Sequence, residues 1–282
     1  MSEVIIDNEL SCSGIIDSHA HYFDRRFANE IDGGADRLLK EKVFPSGIEA
    51  IINVGTDPNN AQICIDQAKK YPNMYAAIGV HPTDCQHIDD DVDTAVGKIR
   101  SYLDTDEKRA ENKIVAVGEI GYDYYWQPVD KDRQRAFFEA QLRLAREFSM
   151  PVIIHDRDAH GDSFETVLKY PDVVGVFHSY SGSAEMAKEL IKRGWYISFS
   201  GVLTFKNARK TVEVAETVPL ERILIETDCP YLTPHPHRGK INSSDYMCYT
   251  AATLANIKGV TYETAVQATS DNARRLFGLN KA

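Results

Sequence analysis

Eight short, largely apolar runs rich in β-branched residues, with helix-like stretches between them, constrain this chain more than any other feature. They are IIDSH (15–19), EAIINVG (49–55), MYAAIGV (74–80), KIVAVGEI (113–120), PVIIH (151–155), VVGVFH (173–178), WYISFSG (195–201) and RILIETD (222–228). Runs of this kind, without strict polar alternation, are the pattern of strands covered on both faces. Between them, NNAQICIDQAKKY, KDRQRAFFEAQLRLAREF and SAEMAKELIKRG repeat apolar residues at helical spacing, so each predicts a helix with one apolar face. This alternation predicts an α/β protein with a parallel sheet, and eight units in about 250 residues match a TIM (β/α)8 barrel. A doubly wound sheet would place a Gly-rich phosphate turn after a strand, and none of the eight runs is followed by one.

With 282 residues, 43% hydrophobic and 26% charged, the chain fits a single domain spanning 1–282, and no Pro/Gly/Ser-rich linker divides it. Met1–Leu10 lacks a basic stretch followed by an apolar one, so no secretory leader is expected. No apolar run approaches the roughly 18 residues of a membrane span, so no membrane association is expected. The five cysteines are odd in number and contain no C-x-x-C pair, which argues against a disulfide framework or a thiolate zinc site and predicts a reducing, cytoplasmic compartment. A net charge of −10 disfavours indiscriminate coating of nucleic acid but leaves room for a local cationic site.

Barrel active sites form at the C-terminal ends of the strands. Here the first run ends in Asp17, His19 and His21, the third in His81, the fourth in Glu119, the fifth in His155, the sixth in His178 and the eighth in Asp228. With a strand period of two, His19 and His21 project to the same side as a chelate, with Asp17 in phase as an orienting group. Singly, each residue has a plainer role: Glu119 or Asp228 could cap a helix, and His81 before Pro82 could shape a turn. Recurrence at successive strand ends carries the metal reading. Four imidazoles and two carboxylates exceed the needs of one tetrahedral ion, whereas two divalent ions joined by a carboxylate and water use them all.

The runs IDSHAH, GVHP, VGEIGYDYYW, QLRLAREFSMPVIIHDRDA, FHSYSG, SGVLTFKNA, ILIETDCPYLTP and PHRGK resemble those of the TatD family of metal-dependent nucleases. The resemblance extends from Ile16 to DNARRLFGL near the C-terminus. It implies a TIM-barrel hydrolase acting on phosphodiester bonds of DNA, in some members RNA, commonly as a 3′-to-5′ exonuclease. It also implies that His19, His21 and Asp228 hold one metal, that His155 and His178 hold a second, and that Glu119 joins the two. The family points to Mg, while the residue types also suit Zn or Mn. The chain departs from the family's usual pattern at Tyr122, where Leu is common, at Ser179, where Cys is frequent, and at Asp24, one place later than usual.

On this reading Glu119 and Asp228 are the catalytic carboxylates, Asp228 serving either as a ligand or as general base to a water. His81, Arg157, Lys206 and Arg238 are the expected substrate contacts, with Lys240 nearby, unless the cations are internal pairs or solvated charges. Tyr122, Tyr124, Tyr125 and Trp126 offer faces for stacked bases or for packing against helices. An acidic protein with few such cations should prefer single strands or strand ends. The alternative is hydrolysis of a small amide, lactone or ester on the same barrel. Relatives of that type often carry a carbamylated Lys at the end of the fourth strand, where this chain has Glu119 and leaves Lys113 at the strand's start. A metal-bound scaffold without catalysis would have no need to keep all six candidate ligands.

Overall fold

A computed structural model describes residues 10–279. All eight apolar runs form strands: β1 (Ile16–Ala20), β2 (Ala50–Val54), β3 (Met74–Ile78), β4 (Ile114–Asp123), β5 (Val152–Arg157), β6 (Gly175–Phe177), β7 (Tyr196–Phe199) and β8 (Ile223–Ile225). They pair in sequence order, each parallel to the next. The ring closes where β8 meets β1, through a bridge between Ala20 and Cys229. Backbone hydrogen bonds from Asp228 N to His19 O and from His21 N to Cys229 O, both 2.9 Å, reinforce it. This is the expected TIM barrel.

The surrounding helices are α1 (Arg25–Glu30), α2 (Gly34–Leu38), α3 (Pro58–Lys70), α4 (Val92–Arg100), α5 (Asp106–Glu111), α6 (Lys131–Glu147), α7 (His160–Leu168), α8 (Ala184–Lys192), α9 (Arg209–Thr217), α10 (Met247–Lys258) and α11 (Tyr262–Phe277). The three stretches with helical periodicity are α3, α6 and α8, and each begins at a side-chain cap, from Asp57, Asp130 and Ser183 respectively. Such caps satisfy the free N–H groups of the first turn and fix where each loop ends.

The core has two layers. Inside the barrel Ile16, Ile52, Val54, Ala77, Ala116, Ile153, Val176 and Leu224 pack together, and Phe277 at the end of the C-terminal helix and Leu279 just past it join them. Outside it Ile51, Ile78, Val117, Ile154, Phe177 and Ile197 pack with Phe137, Phe138 and Leu142 of α6. Helix α11 also stitches the closing edge of the ring. Ser270 Oγ donates to Gly14 O at 2.7 Å, and Asn272 Nδ2 donates to Leu220 O and Ile223 O at 2.8 Å. Arg274 pairs with Glu49 just before β2.

Two strands break register part-way along their length. Along β1, Asp17 pairs with Ile51 but Ala20 pairs with Asn53; along β4, Val117 pairs with Val152 but Ile120 pairs with Ile154. Each case sets three steps against two, so each strand carries one extra residue, a β-bulge that re-aims the side chains around it. His19 and Glu119 sit inside these two bulges. No helix among the described residues is long and apolar enough to cross a membrane.

Candidate metal centre

The bulge in β1 turns His19 and His21 toward the mouth of the barrel, where their Nε2 atoms lie 3.0 Å apart. Glu119 Oε2 is 3.3 Å from His19 Nε2 and 3.6 Å from His21 Nε2. Asp228 Oδ1 completes the group at 3.2 Å from His21 Nε2 and 3.8 Å from His19 Nε2. The other oxygen of Glu119 faces a second set: Oε1 lies 2.6 Å from His155 Nδ1, 2.8 Å from His178 Nε2 and 3.5 Å from His81 Nε2. Six expected ligands, drawn from the ends of five strands, therefore converge, with the Glu119 carboxylate at their centre. Neither Glu119 nor Asp228 caps a helix. His81, expected at the substrate, stands close enough to the second set to share in it.

The far side of each ring is held as well. His21 Nδ1 lies 2.7 Å from Val54 O, His155 Nε2 lies 3.0 Å from Asp123 Oδ2, and His178 Nδ1 lies 3.2 Å from Glu226 Oε1. An outer acceptor of this kind fixes a ligating imidazole's tautomer and leaves the inner nitrogen free to bind an ion. His19 Nδ1 is the exception, buried without a hydrogen-bond partner among the described residues.

Sequence reasoning missed Asp123 and Glu226. They lie near Glu119 and Asp228 in sequence, and the need of each imidazole for an outer acceptor was the available signal.

Asp17 requires a correction. The bulge takes it out of phase with the imidazoles, so it orients neither ring. Its carboxylate accepts from Thr227 N at 3.0 Å, Thr227 Oγ1 at 2.7 Å, Ser244 Oγ at 2.6 Å and His19 N at 3.2 Å. It thereby ties β1 to the residue preceding Asp228. Burial pushes the Asp17 carboxyl up to about 6 despite these hydrogen bonds.

The electrostatics suit a cation. Glu119, Asp123 and Glu226 are all buried, and the ion-pair partners of all three are imidazoles. Burial opposes ionisation of Glu119, but His178, His81 and His19 hold it well below the usual carboxylate range. Burial likewise opposes the His21 cation, but Asp228 and Glu119 raise its pKa to about 9. Ligand atoms about 2.1 Å from a tetrahedral ion lie roughly 3.4 Å from one another, close to the spacings in the first set, while the second set is drawn tighter around Glu119. The donors therefore fit divalent metal.

Above the two sets opens a cavity of about 680 Å³, whose walls include Asp24, His81, Trp126, Arg157 and Tyr231. Of the expected substrate contacts, His81 and Arg157 line it. Lys206 and Arg238 do not: Lys206 is exposed, and Arg238 lies 3.9 Å over the Phe205 ring and donates to Thr233 O at 3.0 Å. Tyr122 is buried, with its hydroxyl 3.0 Å from Thr166 Oγ1, and Lys131 covers the Tyr124 ring. Arg157 covers one face of the Tyr125 ring, and Trp126 remains open. Lys113 Nζ donates to Ala68 O, Tyr71 O and Pro72 O at 2.8–3.0 Å, just before the start of β4 and away from Glu119.

Residues 16–278 match the family model described as TatD related DNase. The chain belongs to the TatD family. It is 40% identical to the uncharacterized metal-dependent hydrolase YabD of Bacillus subtilis, over 94% of this chain and 100% of that protein. It is 36% identical to the uncharacterized metal-dependent hydrolase YcfH of Escherichia coli, over 94% and 96%. Its fold superposes on the crystal structure of YJJV, a TatD homologue of Escherichia coli, with a TM-score of 0.85 at 26% identity, covering 95% of this chain and 100% of that one. A phosphotriesterase homology protein at 16% identity and TM-score 0.65 shares the fold alone.

This chain is thus a metal-dependent hydrolase of the TatD family. Its departures from the TatD pattern leave the two donor sets intact. Tyr122 fills the outer core, Ser179 Oγ lies 2.9 Å from Ser200 Oγ, and Asp24 caps α1.

Proposed function

We propose that the protein is a divalent-metal-dependent nuclease that hydrolyses phosphodiester bonds of DNA, acting on single strands from the 3′ end. The observation that supports this most is Glu119, a buried carboxylate whose two oxygens face two separate sets of imidazoles beneath one cavity. His19, His21 and Asp228 would hold one ion and His155 and His178 a second, with the Glu119 carboxylate between the two sets. The mixed nitrogen and oxygen donors favour Zn or Mn over Mg. Divalent cations bound there supply positive charge to the phosphodiester and lower the pKa of water, which so inert an anion requires.

The remaining chemistry belongs to the chain. Asp228, with its side chain 16% exposed against 3% for Glu119, is the more open of these two carboxylates and takes the proton of the attacking water. His81 Nδ1 engages Thr83 Oγ1 at 2.7 Å, which leaves Nε2 to donate to a phosphoryl oxygen. Arg157 neutralises the neighbouring phosphate. A cavity floored by the barrel admits an end more readily than the middle of a duplex.

The deciding assay gives the purified chain end-labelled single-stranded DNA with Mg, Mn or Zn, alongside a panel of amides, lactones and phosphotriesters. Progressive shortening from the 3′ end is the expected result. Turnover confined to the small-molecule panel would overturn the nuclease reading in favour of the small-molecule hydrolase.

A further inference from the structure

We propose that Trp126 and Tyr231 are two nucleobase platforms on opposite walls of the cavity, holding the strand end by its last two bases with the scissile phosphodiester between them. The proposal rests on the nuclease reading and specifies which part of the substrate the rim grips.

Few large aromatic side chains stay open to solvent here, yet Trp126 is 57% exposed and Tyr231 44% exposed, and both line the cavity. They follow β4 and β8, which stand diametrically opposite in a closed ring of eight strands. Neither ring is loose. Tyr125 N and Trp126 N both donate to Asp123 Oδ1, at 2.9 and 3.0 Å. The Tyr125 ring packs edge-on against the indole, with centroids 5.0 Å apart. Across the mouth, Tyr231 donates its hydroxyl to Asp24 Oδ2 at 2.7 Å.

Rings that are exposed and yet fixed lose little freedom when a ligand arrives, and they stack on any base because every base has a π face. Arg157 lies 3.9 Å over the Tyr125 ring and 5.5 Å from the indole, which sets a cation beside one platform for the adjoining phosphate. Asp123 supplies the register: while Oδ1 holds the Trp126 loop, Oδ2 lies 3.0 Å from His155 Nε2. One buried carboxylate thus fixes the distance from base platform to candidate metal ligand.

The test compares the metal-loaded full chain with Trp126→Ala and Tyr231→Ala on single strands that are intact, abasic at the terminal nucleotide, or abasic at the penultimate one. Each substitution is expected to raise KM on the intact strand roughly tenfold with a smaller change in kcat. Each penalty should vanish when one particular base is missing, a different base for each variant. Melting curves matching the wild type establish that both variants fold.

Equal penalties on intact and abasic strands, or no penalty, would overturn the proposal. A binding measurement separates it from the nuclease reading. Trp126 and the buried Trp195 are the two tryptophans, so fluorescence quenching by deoxythymidine monophosphate, but not by deoxyribose 5-phosphate, reports stacking on Trp126 without turnover. Quenching in a protein that cleaves no DNA keeps this platform and removes the nuclease. Cleavage with neither quenching nor base dependence does the reverse.

Discussion

At the scale of single residues, Glu119 and its neighbours hold four buried or nearly buried carboxylates against five imidazoles, and that balance is set by protonation when metal is absent. His21 illustrates it: burial disfavours its cation, and Asp228 with Glu119 overcomes this to raise its pKa to about 9. An imidazole with a raised folded pKa stabilises the metal-free fold below its free value of about 6.5, and that stability is lost as pH rises through about 9. Divalent ions require the neutral ring, so protons compete with them over the same window. The difference in Tm between metal-loaded and EDTA-treated protein is therefore expected to widen from about pH 6.5 to about pH 9; a constant difference in thermal unfolding would contradict the assigned ligands. Asp123→Asn and Glu226→Gln keep side-chain size but weaken the outer grip on His155 and His178, and each should lower metal affinity by roughly 10–100-fold in calorimetric titration. Asp228→Asn separates its two roles: retained metal with lost turnover identifies the base, lost metal the ligand. The six candidate ligands were legible because their residue types close apolar runs. Asp123 and Glu226 were not, since a carboxylate's service to a ring depends on register, which residue type does not carry.

Bulges operate at the scale of the strand and explain the one misreading of phase. Strict alternation puts Asp17, His19 and His21 on one side, but the extra residue between Asp17 and Ala20 breaks the count, sending Asp17 to Thr227 and Ser244. Nothing in IIDSHAH announces this, because a bulge is defined against the neighbouring strand. The matching bulge in β4 leaves a clearer trace, for Glu119 lies between Gly118 and Gly121. Gly121 has φ 142°, and a Cβ there would collide with the carbonyl oxygen of His155, so the absence of a side chain lets β5 bring His155 against Glu119. Gly121→Ala is expected to cost at least about 2 kcal/mol in chemical denaturation and to lower metal content. Gly97 is the control, exposed within α4 with nothing within 4 Å of an added Cβ. Gly97→Ala should stabilise by about 0.5–1 kcal/mol and leave metal content unchanged.

At the scale of the whole molecule, barrel closure was legible from the number of strands, whereas its closing edge was not. β8 is three residues long, and the join to β1 depends on contacts such as Asp17 to Thr227, 210 positions apart, together with α11. No local window of sequence holds such a pair. Charge also acts at this scale, and on the proposed nuclease reading it sets how DNA can approach. The molecule carries −10, and Asp24, Asp84 and Asp156 join Glu119 and Asp228 in the cavity wall, where Arg157 is the sole lysine or arginine among the described residues. A strand laid across such a surface would be repelled along most of its length, so productive contact is confined to the phosphates nearest the donor sets. Each phosphate neutralised on a single strand contributes about −0.7 to the slope of log affinity against log salt. With one phosphate at Arg157 and one or two at the donor sets, log kcat/KM should fall against log salt with a slope of about −1.4 to −2.1. The measurement is initial rate on a labelled single strand at several potassium chloride concentrations and fixed metal. A slope steeper than about −4 would require a cationic track over many phosphates, for which the cavity wall supplies no residues. Blunt duplex, whose end must open before a strand can descend to Glu119, should be cut more slowly than the single strand at every salt concentration.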